Sequence, residues 1–319
     1  MSYQSSVATG TNTANNQSGT GTNTTTSPPD YANLVAKHDN AKVIASVLNT
    51  ILPKGEESRR KDGQVILAIV TLSQQGIRFT VEVGRQYQAT ALLKKSLFAE
   101  YMFNPPPEED AIVFKINLSI LMDCLSMFGS NNNSFTAITI IQRSGHPFTI
   151  LLEENGVQTS CSLKTMSCDN PLLFEIDSSP FNRVLVSSDN LLEAFGELDY
   201  SSQTVTIILS ETSEHNRDGG SPPMFKLATN GTSGQYTVEY NEDLFEFKDC
   251  KQTISHSFPL SLIQPAIRAL AVTNKTRMTM NTGGLLHFEH QLLFEEKRCH
   301  LVEFYIVAQH PDENEMHLG

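Results

Sequence analysis

The residues of this chain that could do chemistry are few and do not group. His287-Phe-Glu-His290 carries two imidazoles and a carboxylate within four positions, and these are side chains that hold zinc. In a strand, successive side chains point to opposite faces, so His287 and Glu289 share one face while His290 takes the other. The three cannot converge on an ion easily, and the run reads as strand polarity. Paired carboxylates stand at Glu153-Glu154, Glu242-Asp243 and Glu295-Glu296, each beside a predicted turn. A two-metal nuclease needs several carboxylates converging on ions about 4 Å apart. Acids at turns read as solvated strand ends. There is no G-x-x-x-x-G-K-S/T, and no G-x-G-x-x-G between strand and helix, so phosphate-cradling loops are absent. Nothing singles out a Ser-His-Asp set. The expectation is no catalytic residue, no cofactor and no metal.

Cysteine chemistry is equally sparse. Cys124, Cys161, Cys168, Cys250 and Cys299 are odd in number and never spaced C-x-x-C, which fits scattered reduced thiols in an intracellular protein. The sequons at Asn117-Leu-Ser and Asn230-Gly-Thr are then chance matches. No charged start followed by an apolar segment marks a secretory leader, and no apolar run approaches the ~20 residues that span a bilayer. The expectation is a soluble chain that uses no membrane. With 23 basic against 35 acidic residues the formal charge is −12. That balance argues against a surface coated in phosphates, though a local basic patch could still hold nucleic acid.

The elements that would position any site come from the periodicity. The chain is organised around Ala111 to Gly129. Ile112, Phe114 and Ile116 alternate with Val113 and Lys115, as in a strand with one buried face. After Asn117 the period changes, and Leu118, Leu121, Leu125 and Phe128 form the stripe of a helix of about three turns. Asn117 can cap its start and Gly129 can end it. Residues 1–30 are Ser, Thr, Asn, Gln and Gly with almost no large apolar side chains, a disordered tail. Asp39-Asn40 offers a cap for a helix with Ile44, Val47, Leu48 and Ile51 on one face, stopped by Pro53. Strands are expected over QVILAIVTL, IRFTVEV, YQATALL and LFAEYMF, and after the central helix over TAITIIQ, FTILLEE and VQTSCSL, the last two joined by an Asn-Gly turn. Lys164 to Pro171 loses alternation and reads as a linker.

The second half repeats the order. NRVLVSS is a strand and SSDNLLEAFGELD a helix with Leu191, Leu192, Phe195 and Leu198 on one face. Its Asp189-Asn190 stands 150 residues after Asp39-Asn40. TVTIILS, MFKLATN and QYTVEYN are strands, and SFPLSLIQPAIRAL echoes the central strand-to-helix junction at an offset of 258 − 116 = 142 residues. KTRMTM, LLHFEHQLLF and CHLVEFYIVA close the chain as strands. The pattern is α+β and duplicated, and not the β-α-β alternation of a parallel sheet.

FKINLSILMDCLSMFG, with SSDNLLEAFGELD, SLIQPAIRAL and the closing VEFYIV, resembles the sliding-clamp family. The likeness is greatest to the Rad-one type of subunit in the heterotrimeric DNA damage checkpoint clamp, and runs roughly from Tyr31 to His310. The resemblance implies a DNA clamp fold of two tandem similar domains, each with two helices packed on antiparallel sheet. The expected division is a tail over 1–30, clamp domain 1 over 31–163, a connecting loop over 164–174, clamp domain 2 over 175–310 and an acidic tail over 311–319. It further implies a nuclear, non-enzymatic subunit of a ring with two related subunits, the Rad-nine and Hus-one types. A clamp loader opens such a ring, double-stranded DNA passes through it, and repair and checkpoint proteins bind it. The ring holds DNA by topology, so weak phosphate contacts suffice.

Three sets of residues follow from the resemblance. Facing the DNA channel would be Lys42 on the first helix and Arg268 on the fourth, with Lys37 and Lys115 nearby and Arg59, Arg60 and Lys61, in the loop after the first helix, as a further candidate contact. Asp123 and Ser126 on the second helix, and Glu193, Glu197 and Asp199 on the third, make this share of the channel only thinly basic. Subunit joints would form by edge-strand pairing through Val157, Thr159, Cys161 and Leu163 on one strand, and Tyr236, Val238 and Tyr240 on the other. A client pocket beneath the linker would use Ile77, Leu172, Leu173, Leu285, Tyr305 and Val307. Two alternatives stay open: a metal-dependent DNA exonuclease, which needs a convergent carboxylate cluster, and a solitary interaction scaffold.

Overall fold

The computed structural model describes residues 32–52, 65–128, 135–211, 224–232, 234–294 and 297–309. The first half runs β1 (Leu34–His38), α1 (Ala41–Thr50), β2 (Leu67–Ser73), β3 (Gly76–Val83), β4 (Tyr87–Lys94), β5 (Glu100–Phe103), β6 (Ala111–Asn117), α2 (Leu118–Leu125), β7 (Ala137–Gln142), β8 (Phe148–Glu154) and β9 (Val157–Leu163). The second runs β10 (Phe181–Ser187), α3 (Ser188–Gly196), β11 (Thr204–Leu209), β12 (Phe225–Gly231), β13 (Gly234–Tyr240), β14 (Phe245–Asp249), β15 (Ile254–Pro259), α4 (Leu260–Leu270), β16 (Lys275–Asn281), β17 (Leu285–Phe294) and β18 (Lys297–Val307). The two halves share one order, β-α-βββββ-α-βββ. The strand-to-helix junctions at Leu118 and Leu260 stand 260 − 118 = 142 residues apart, the spacing read from the sequence.

The junctions repeat in detail because the same backbone problem is solved twice. A helix start leaves N–H groups without intrahelical partners. Leu118 N donates to Ile66 O at 2.8 Å and Leu260 N to Gln203 O at 2.9 Å; Ala41 N and Ser188 N donate likewise to Thr136 O and Asn274 O. Asn40 and Asn117 add side-chain caps, accepting from Lys42 N and Ile120 N. α2 is shorter than the sequence period predicts, and Gly129 and Pro53 lie outside the described residues. The third helix differs from expectation. Its cap position is Ser187, and Asp189-Asn190 lie inside the first turn, so they are not the counterpart of Asp39-Asn40. The strand β1 was also not foreseen.

All strand pairs are antiparallel. One sheet is β5-β1-β7-β8-β9, a second is β13-β12-β11-β15, and a nine-stranded sheet, β14-β10-β16-β17-β18-β4-β3-β2-β6, runs through both halves. It is continuous because β18 pairs with β4, from His300 opposite Leu93 to Ile306 opposite Tyr87. The sheet faces that meet the helices are apolar: Phe114, Ile116, Phe79, Val81, Phe288 and Phe304 are buried there with Leu121, Phe195 and Ile263 from the helices. α1 packs on α2, α3 on α4, and α1 on α4 across the halves. The Gln75-Gly76 turn requires glycine, because a Cβ at Gly76 would stand 2.1 Å from Leu93 O. Asn155 and Gly156, at φ 51° and 78°, give the primed turn that joins β8 to β9.

Candidate functional site

The duplication defines the edges that matter. β9 in the first half corresponds to β18 in the second, and β13 in the second corresponds to β4 in the first. β18 and β4 pair with each other inside the chain, whereas β9 and β13 each end a sheet. An unpaired edge presents a row of N–H and C=O groups ready to template another strand. Val157 and Tyr236 are exposed at 57% and 45%. Thr159, Cys161 and Val238 are half-buried. Two residues of these edges are also tied to their own chain. Leu163 is buried in the core, so it contributes only backbone to this edge. Tyr240 packs its ring against Phe225, centroids 6.1 Å apart, and its hydroxyl pKa is raised, chiefly by burial and further by Glu197 and Glu193.

The basic residues are less well grouped than the resemblance implies. Lys42 lies on α1 and Arg268 in the last turn of α4. Arg268 is half-buried, its Nη2 is enclosed without a hydrogen-bond partner, and burial lowers its pKa. Lys37 is not beside the helix. It lies in β1, where the alternation that buries Leu34 and Ala36 against the helices turns it to the opposite face, and it pairs with Glu100 at 2.6 Å. Lys115 is turned away for the same reason. Phe114 and Ile116 face the core, and the Lys115 backbone exchanges hydrogen bonds of 2.8 and 2.9 Å with Met166 of the linker. Arg59, Arg60 and Lys61 fall outside the described residues. Asp123, Ser126, Glu193 and Glu197 are exposed on α2, α3 and the turn after α3, so the open helix faces carry acid and hydroxyl.

The opposite face of the long sheet holds the linker. Glu82 accepts from Leu172 N at 2.7 Å and from Gln88 Nε2 at 2.9 Å, while Gln88 Nε2 also donates to Leu172 O. Beyond this clasp Phe174 stacks on Tyr305, centroids 5.6 Å apart, and Tyr305 stacks on His287 at 4.2 Å. Burial first, and the Glu303 charge second, push the Tyr305 hydroxyl up to about 12. Leu172, Leu285 and Val307 are half-buried around the stack, and Leu173 is 83% exposed. Ile77 is corrected. It is fully buried on the helix side of β3 with Phe79 and Val81, so it lines the core and not this surface. The sequence reading missed Phe174, Glu82 and Gln88, although the apolar run Pro171-Leu-Leu-Phe174 was available as a signal.

Among the described residues, the imidazoles and paired carboxylates stand apart and do not converge. His287 lies 3.8 Å from Glu303 on the linker side of the sheet, and burial, then Arg277 and Arg183, lowers its pKa to about 4. His290 faces the core, where its Nδ1 shares a hydrogen bond of 2.8 Å with Thr276 Oγ1, and burial, then His287, lowers its pKa to about 3. Glu154 accepts from Thr136 and Glu242 pairs with Lys248; Glu295-Glu296 lie outside the described residues. Among the described residues no group of three or more His, Cys, Asp or Glu is placed to hold a metal.

The architecture is that of a sliding clamp. The chain superposes on the A. fulgidus PCNA of a structure titled as bound to the C-terminal region of FEN-1, with a TM-score of 0.65 at 11% identity, over 88% of this chain and 100% of that one. Residues 33–292 match the family model described as repair protein Rad1/Rec1/Rad17. Homo sapiens "Cell cycle checkpoint protein RAD1" is 30% identical over 290 residues, 89% of this chain and 93% of the relative. Schizosaccharomyces pombe "DNA damage checkpoint control protein rad1" is 26% identical over 75% of this chain and 78% of its own length. The chain belongs to the Rad1/Rec1/Rad17 repair-protein family.

Proposed function

We propose that this chain is one of three different subunits of a ring that encircles double-stranded DNA at sites of damage. Family and fold make it a DNA damage checkpoint clamp protein. The finer reading is that its partners are clamp-type chains of the Rad-nine and Hus-one types, that a loader opens the ring, and that it works in the nucleus as a non-enzymatic platform for repair and checkpoint proteins. The observation that carries this reading is the pair of open edges. β18 and β4 already make, within the chain, the joint that β9 of one subunit and β13 of the next would make between chains. Proline cannot donate to a strand ladder, so Thr159→Pro and Val238→Pro should each release one partner and leave the monomer folded. Unchanged assembly of both variants would overturn the joint assignment.

The ring would place α1 to α4 toward DNA, with Lys42 as the cation on α1 and with sparse phosphate contact overall. The stack at Tyr305, with Leu172, Leu173, Leu285 and Val307, is the proposed client surface. Exposed Leu173 is its open apolar contact, and Phe174 is the chain's own occupant of the Tyr305 face. The exonuclease alternative is tested directly: purified chain with Mg²⁺ or Mn²⁺ should leave labelled DNA intact. Degradation abolished by one carboxylate substitution would replace the clamp-only reading.

A further inference from the structure

We propose that Cys124 and Cys161 are a peroxide-sensitive dithiol whose disulfide fastens the free edge strand β9 to α2. Cys124 is the seventh residue of α2 and Cys161 the fifth of β9. Along β9, Thr159, Cys161 and Leu163 share one face, and Leu163 enters the core while Cys161 packs against it. That face turns toward α2, which packs directly on β9. The two thiols are reduced and half-buried, and the Cys161 thiol reaches Met127 Sδ at 3.4 Å, three residues on from Cys124 and just past the end of α2. Cys168 lies in the linker and Cys250 just beyond β14, so neither shares this cluster.

A disulfide bond is about 2.0 Å long, so closing it draws β9 and α2 together. The outer side of β9 pairs with no other strand among the described residues, so no ladder bond on that side opposes its shift. The chemistry balances with a peroxide. The Cys161 sulfur attacks one peroxide oxygen, the O–O bond breaks, and a sulfenic acid forms as the departing hydroxide takes the thiol proton and leaves as water. The Cys124 sulfur then attacks the sulfenic sulfur. The S–S bond forms, the S–O bond breaks, and the Cys124 proton leaves with hydroxide as a second water. Two thiols lose two electrons and two protons, and the peroxide is reduced. Cys124 takes the second role because burial, then Cys161 itself, pushes its thiol up to about 12, and oxidising Cys161 to an uncharged sulfenic acid removes the charge repulsion between them.

The consequence rests on the joint assignment above: a β9 drawn onto α2 no longer lies in register for a neighbour's β13. The experiment treats the full chain with hydrogen peroxide, maps its peptides, and measures partner-chain binding before and after dithiothreitol. The expected result is a Cys124–Cys161 linked peptide pair lighter by two hydrogens, reversed by reduction and absent from both Cys124→Ser and Cys161→Ser. Partner affinity should fall about tenfold on oxidation and recover on reduction. Separate oxidation of the two cysteines without a link overturns the dithiol. A link that forms with no change in partner affinity overturns its effect on the edge, provided Thr159→Pro still releases the partner. If Thr159→Pro releases nothing, the joint assignment has failed and not the dithiol, which the peptide map judges alone.

Discussion

His290 ends a chain of buried hydroxyls in the core. Thr273 Oγ1 donates to Ser188 Oγ at 2.9 Å, Ser188 and Thr276 hydroxyls meet at 2.9 Å, and Thr276 meets His290 at 2.8 Å. The chain ties the start of α3 to the turn after α4 and to the sheet beneath. Its pH behaviour follows from burial. The folded state holds His290 neutral with a pKa near 3, against 6.5 for an ordinary imidazole. Unfolding lets it take up a proton, so stability is full above about 6.5 and falls as pH drops toward 3. His290→Phe should therefore remove roughly 1–2 kcal/mol of the difference in unfolding free energy between pH 7 and pH 5, read by denaturant melts. An unchanged difference would contradict the neutral, buried assignment. Asn117 offers a second check, because it caps α2 by accepting from Ile120 N at 3.2 Å. Asn117→Ala should cost about 1 kcal/mol of stability, and a neutral result would mean that solvent replaces the cap.

At the scale of elements, the linker and its stack decide how the outer surface can be used. Tyr305 lies between Phe174 and His287 and is held by both. Tyr305→Ala should therefore lower thermal stability as well as client binding. Leu173, exposed beside it, separates the two effects: Leu173→Ala should weaken a bound client peptide by about 1–3 kcal/mol with the melting temperature unchanged. Equal affinity in calorimetry would remove Leu173 from the surface. The sequence made the β6–α2 junction legible because the period changes abruptly at a residue able to cap. β1 was illegible for a physical reason. Leu34, Val35 and Ala36 are all buried, at 0%, 2% and 0%, so no alternation marks the strand, and Lys37 was consequently placed near a helix it does not share a face with. Strand pairing between β18 and β4 joins residues some two hundred positions apart, and no local pattern encodes that register. Ile77 was assigned to the pocket by resemblance, and a residue at the start of a strand has no preceding alternation to show which face it takes.

At the scale of the whole molecule, two copies of one topology are fused through a continuous sheet, and the fusion leaves β9 and β13 open at the ends of the other two sheets. The helix faces beside them offer little positive charge, and the chain carries −12 overall. Enclosure and not attraction must then keep such a subunit on DNA. The isolated chain should bind duplex no tighter than roughly 10 μM at physiological salt, and a nanomolar titration would show a basic surface that this account lacks. The central claim is assembly through the two open edges, and native mass spectrometry tests it most directly. The full chain mixed with a Rad-nine-type and a Hus-one-type chain from the same source should give a single complex with one copy of each. Thr159→Pro and Val238→Pro, introduced together in this chain, should leave it as a folded monomer beside a pair of the other two. A chain that stays monomeric in the mixture, or a complex indifferent to both prolines, would contradict the account.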